Sequence, residues 1–189
     1  MRFGARRINA LCGLAGFVML AAGVWALPRS VAYLKEHRDW VKGARARMRG
    51  ATYAGDEGTV LQTRGNNCGA ACLKMVLAAH GIERSLPDLT RELGTTPAGT
   101  SMLNLRLVAT RLGLPARSWA IGHTDLKNLP LPSIAFIHGN HFVVIRRFAA
   151  PDVFEIDDPA LGRLRWPVRS FRKQWSGQTL VFDLKWTPS

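Results

Sequence analysis

The sequence has little cysteine and little acid. Its three cysteines, Cys12, Cys68 and Cys72, are too few and odd in number for a disulfide framework. Cys68 and Cys72, placed on one helix, stand about one turn apart, too far and wrongly aimed to bond each other easily, so cysteine usage leaves the redox compartment open. Aspartate and glutamate number 13 against 26 lysines and arginines. The imbalance is uneven: residues 1–50 carry ten basic and two acidic side chains, the remaining residues sixteen and eleven. The excess charge therefore belongs mainly to the N-terminal third. A nucleic-acid protein wants a basic, aromatic-bearing face on its folded part, so that class is set aside. Internal repeats and low-complexity tracts are missing too. With 47% apolar and 21% charged residues the chain is not a disordered one, and 189 residues suffice for one domain and an additional segment.

Charge is absent altogether from residues 8–27, INALCGLAGFVMLAAGVWAL, which follow Arg2, Arg6 and Arg7. Twenty apolar residues at the helical rise just span a bilayer. The run is longer than a usual cleaved signal, and VWALPRS puts Trp and Pro where a cleavage site wants small residues. The reading is an uncleaved single-pass anchor over residues 1–28. Basic residues flank both ends, Arg29, Lys35 and Arg38 among those following, so the side of the membrane stays undecided. Residues 29–58 read as a basic, partly helical linker. Its weak apolar stripe of Val31, Leu34, Trp40 and Val41 suits either an anionic membrane surface or solvent. GATYAGDEGT reads as a loop.

From Val60 onward helices precede strands. CGAACLKMVLAAHG is apolar nearly all round and reads as a central buried helix. SLPDLTRELG and TSMLNLRLVATRLG each open on a hydroxyl cap and close on glycine. ARSWAIG, PSIAFIH, HFVVIRRF, DVFEID and RLRWPV are strand-like, RSFRKQW is a short helix and TLVFDL a last strand. Helices segregated from adjacent antiparallel strands make an α+β domain. Gly139-Asn140 is a two-residue hairpin signal and predicts that His138 and His141 face each other across the turn.

Four residues are suited to one chemistry. Cys68 follows Gly65-Asn66-Asn67 and opens a helix, where free N–H groups and the dipole favour a thiolate. The dipole alone is worth about 0.3–1 kcal/mol, less than one pKa unit, so an imidazolium is needed, and His141 at a strand start can supply it. Asp158, held extended by Pro159, can orient that imidazole. The Cys68 N–H and the Gln62 amide can serve as oxyanion donors. Singly, each has an ordinary structural reading: a packed thiol, a strand-edge histidine, a turn-capping aspartate, an exposed glutamine. Cys72 reads as core, and His80 belongs to a helix end. Cys68, Cys72, His138 and His141 also compose a conceivable zinc set, with spacing atypical for structural zinc.

Taken together, LQTRGNNCGAACLKMVL, GTSMLNLRLVATRLGL, LPSIAFIHGNHFVVI and FEIDDPALGRLRW resemble the bacteriocin-processing cysteine peptidases, the papain-like domains of ABC exporters that cut leaders after a double glycine. The resemblance covers roughly residues 59–184, leaving 185–189 as a tail. It implies a papain-like fold in which Cys68 is the nucleophile, His141 the general base, Asp158 its orienting residue and Gln62 the oxyanion-hole glutamine, with no cofactor and no metal. Asp157 and His138 match no catalytic position, and Asn67 stands where the family often has an acid. No ATPase or six-helix region follows, so the expected form is stand-alone and anchored, in a bacterial inner membrane. Its expected partners are a peptide or leader-bearing precursor and a separate export system. The alternative is a non-catalytic leader-binding module serving such a transporter.

Overall fold

The computed structural model describes residues 33–188. The apolar run 8–27 lies outside them, and among the described residues no helix is long and apolar enough to cross a membrane. Two compact units divide at Val41 and Lys42. Residues 33–41 of the first are helical, with Tyr33, His37 and Trp40 stacked along one side and both Tyr33 and Trp40 exposed. The helix, α1, runs over 33–48.

The second unit is an α+β domain built on a seven-stranded sheet. The strands are β1 (Thr52–Gly55), β2 (Arg117–Ala120), β3 (Ser133–Ile137), β4 (His141–Ala150), β5 (Val153–Asp158), β6 (Gly162–Pro167) and β7 (Trp175–Val181). They lie in the order β1-β6-β5-β4-β3-β7-β2, every neighbour antiparallel. Alternation along β4 sends Phe142 and Val144 to one face and Val143 and Ile145 to the other. Both faces are buried. On the first pack α2 (Cys68–Ala79), α3 (Leu86–Glu92) and α4 (Met102–Arg111). On the second pack Ala46 of α1, Leu126 of a short 3-10 turn, and Phe171 of α5 (Val168–Phe171).

The caps act as the sequence grammar requires. Ser85 Oγ accepts from Asp88 N–H at 3.2 Å, and Ser101 Oγ from Asn104 N–H at 3.0 Å. Three segments depart from expectation. Residues 52–55, read as loop, form β1, because β6 offers an open edge whose backbone groups need partners. The expected helix RSFRKQW is shorter and begins earlier, at Val168. Trp175 already belongs to β7, where it is buried and pairs with Ile137. The hairpin after β3 turns one residue earlier than Gly139-Asn140. His138 (φ 55°) and Gly139 (φ 73°) are the left-handed pair, and Asn140 N–H donates to Ile137 O. His141 therefore faces Ile137 instead of His138.

Asp158-Pro159-Ala160-Leu161-Gly162 is the β5–β6 turn: Leu161 N–H donates to Asp158 O at 3.1 Å, and Gly162 pairs back with Asp158. Gly162 has φ +99°, and a Cβ there would lie 2.8 Å from Gly55 O. Left-handed backbone and a clash with rigid backbone both oppose a side chain. Gly162→Ala is expected to destabilise the domain by about 2 kcal/mol or more, read as a lowered midpoint in urea unfolding with an unchanged slope.

Candidate active site

Cys68 is the first residue of α2, and the loop before it is held by Asn67. The Asn67 carboxamide accepts from Arg64 N–H at 3.1 Å and donates to Thr63 Oγ1 at 3.1 Å. It is thereby turned away from the helix end, which has no side-chain cap. The first N–H groups of α2 stay free for an anion. Gly69 lets the helix start approach its surroundings: a Cβ there would lie 2.5 Å from the Thr100 methyl.

His141 opens β4 and Asp158 closes β5, the neighbouring strand. His141 Nε2 lies 2.8 Å from Asp158 Oδ1. An ionised carboxylate only accepts, so Nε2 carries the proton. The other ring nitrogen is left for Cys68, whose thiol His141 lowers. Oδ1 also accepts from Ala160 N–H at 2.7 Å, and Oδ2 accepts from Arg49 Nη1 at 3.0 Å. The Asp158 side chain is wholly buried.

Electrostatics follow from these contacts. Burial pushes the Cys68 thiol up, but the His141 hydrogen bond, the Phe142 N–H, the His141 charge and the Gly69 N–H outweigh it, and the net shift is downward. Burial pushes His141 down, yet its bonds to Asp158 and Cys68 and their charges raise it to about 9. Burial raises Asp158, and the His141 bond and charge, the Ala160 N–H and the Arg49 charge hold it below its usual range. The site thus holds a thiolate and an imidazolium together between the titrations of Cys68 and His141. A thiolate is a nucleophile, and an imidazolium is a proton donor.

The other candidates separate clearly. Gln62 is half-buried, and its N–H donates to Pro159 O at 2.9 Å, tying it to the Asp158 turn. Its Oε1 is buried with no protein partner. Cys72, one helical turn from Cys68, is fully buried, and burial with the nearby Cys68 charge drives its thiol well up. Asp157 points to the opposite face of β5, where it binds Arg163, Arg146 and Thr59. His138 belongs to the turn, and the zinc set does not assemble: among the described residues no group of three or more His, Cys, Asp or Glu could hold a metal ion. Arg49 was invisible to motif spacing. It is 109 residues from its partner, and the only local signal at that point is a helix ending before Gly50.

The expected consequence is that iodoacetamide alkylates Cys68 in the full chain below the ordinary thiol range. The alkylation rate is then insensitive to pH until His141 deprotonates near pH 9. His141→Ala is expected to return the rate to that of an ordinary thiol with pKa about 8.5. Cys72 is expected to stay unlabelled, with mass spectrometry separating the two sites.

This arrangement can be compared with known proteins. The model for the peptidase C39 family matches residues 56–186. The lactococcin-G-processing and transport ATP-binding protein LagD of Lactococcus lactis subsp. lactis is 32% identical over 64% of this chain and 18% of its own length. The probable functional amyloid protease FapD of Pseudomonas aeruginosa is 34% identical over 59% of the chain and 54% of its own length. The match thus spans only part of these relatives. A double glycine motif protease from an AMS/PCAT transporter, solved in complex with the leader peptide, superposes with TM-score 0.63 at 31% identity, covering 66% of this chain and 89% of that one. The helices and antiparallel sheet are the papain-like fold that the sequence resemblance implied, and with well over half of its length matched the chain belongs to the peptidase C39 family, as a cysteine peptidase.

Proposed function

We propose that this protein is a membrane-anchored endopeptidase that cleaves a leader-bearing peptide precursor by a Cys-His-Asp mechanism. The observation that carries the reading is the bond from His141 Nε2 to buried Asp158 Oδ1, with His141 lowering the Cys68 thiol beside it. Cys68 thiolate attacks the scissile carbonyl. The developing oxyanion takes the Cys68 N–H and the Gln62 side-chain N–H as donors. His141 gives its proton to the leaving amine while Asp158 holds Nε2. Water, with His141 now the base, hydrolyses the thioester. A non-catalytic leader-binding module has no use for a lowered thiol, which favours turnover over binding alone.

The substrate class draws on the relatives that process bacteriocins and on the transporter protease bound to a leader peptide. We take the peptidase domain to be residues 59–184 and the uncharged run 8–27 to be its single-pass anchor. The support for the anchor is the twenty-residue length of that run, and for the linker the basic residues beyond it.

The test uses the full chain and a synthetic precursor peptide with a Gly-Gly cleavage site. Cleavage after the second glycine is expected, abolished by Cys68→Ala. Gln62→Ala is expected to lower kcat about 100-fold with KM little changed, as for a donor used only in the transition state. Cleavage that survives Cys68→Ala, or binding without turnover, would sink the proposal. In bacterial cells the full chain is expected to resist carbonate extraction from membranes, and a variant lacking residues 8–27 to be released.

A further inference from the structure

We infer that Arg49, at the C-terminal cap of the helix preceding the family domain, is a positioning residue for Asp158. The inference rests on the catalytic reading above and adds a group that lies outside the matched span 56–186.

Alternation along β5 puts Asp158 on the same face as Phe154 and Ile156, the face on which Ala46 of α1 packs. A carboxylate presents two oxygens, and both here are buried. Oδ1 is occupied by His141 and Ala160. Among the described residues the donor to Oδ2 is Arg49 Nη1, at 3.0 Å. The Arg49 side chain is itself only 30% exposed, so the pair sits where water screens it weakly.

The C-terminal half of α1 is built to aim this side chain. Lys42, 8% exposed, bonds both carboxylate oxygens of Asp56 at 2.7 and 2.6 Å, and Tyr53 donates to the same group at 2.9 Å. One turn on, Ala46 is fully buried. The helix then ends in a double cap: Gly50 N–H donates to Arg47 O, and Ala51 N–H to Ala46 O, both at 2.9 Å. Gly50 is left-handed at φ +74°, and a Cβ on it would press on Ser170 of α5 at 3.1 Å. This is the terminal geometry that makes Arg49 the C-cap residue just past α1. Lys42 and Ala46 already fasten the helix to the domain, so Arg49 is not needed for that attachment. Its charge also reaches His138, which burial and then Arg49 hold below the ordinary histidine range.

Without Arg49 the buried Oδ2 lacks a donor. The carboxyl then takes up a proton or turns from Nε2, and either change removes the support that keeps His141 protonated beside Cys68.

The experiment compares full-length wild type with Arg49→Ala, Arg49→Lys and His141→Ala. It measures iodoacetamide alkylation of Cys68 at pH 6, with thermal melts confirming that each variant is folded at the assay temperature. Rapid labelling of wild type is expected, with a loss of about tenfold, one pKa unit, in Arg49→Ala. Arg49→Lys, a single donor in place of the fork, is expected to recover most of it. A folded Arg49→Ala that labels as fast as wild type while His141→Ala is slow would overturn this inference alone. Equal slowing by Ala and Lys would overturn it too, because the effect would not follow the donor. Ordinary thiol reactivity in wild type, unchanged by His141→Ala, would remove the catalytic reading and this inference with it.

Discussion

The wholly buried carboxylate of Asp158 is the constraint on which the site depends. An ionised group in that position is costly unless each oxygen is bonded. Here Oδ1 takes His141 and the Ala160 N–H, and Oδ2 takes Arg49. Those donors offset the burial that would otherwise neutralise the acid. The ionised acid in turn keeps His141 charged, and charged His141 is the largest influence lowering Cys68. The end of α1 and the start of β4 thus converge on one side chain at the end of β5, and the start of α2 lies beside them.

Magnitudes decide what each part supplies. The free end of α2 offers about 0.3–1 kcal/mol to an anion, which cannot by itself overcome the burial of the thiol. The imidazolium can, since a desolvated ion pair with a hydrogen bond is far stronger than a dipole end. Asn67 contributes by bonding into its own loop and not capping the helix. Gly69 contributes by letting that end approach Thr100 and Phe142. Cys72 marks the contrast: the same residue type one turn along, sealed in the core and driven toward the neutral thiol.

Much of this was legible in the chain itself. The α2 helix, the two hydroxyl-capped helices after it and the run of alternating strands are set by local periodicity and caps, which act over a few residues. The order of Gln62, Cys68, His141 and Asp158 was legible as a pattern, and the structure bonds His141 to Asp158 and sets Cys68 beside His141. Gln62 joins that neighbourhood through its backbone bond to Pro159. The hairpin was not legible to the residue. His138-Gly139 and Gly139-Asn140 both suit left-handed backbone, and the choice between them follows the pairing of Ile137 with His141.

The sequence by itself determined the α2–α4 helices and most of the strands, that the charge excess belongs to the N-terminal third, and which residue types could carry acyl-transfer chemistry. Tertiary structure alone decided that residues 52–55 would be a strand, that Asp157 and Asp158 would serve opposite faces, and that Arg49 would meet a carboxylate 109 residues away. The reason is range. Caps and periodicity are properties of neighbouring residues, whereas an edge strand and a buried ion pair exist only once the sheet has brought distant backbone and charge together.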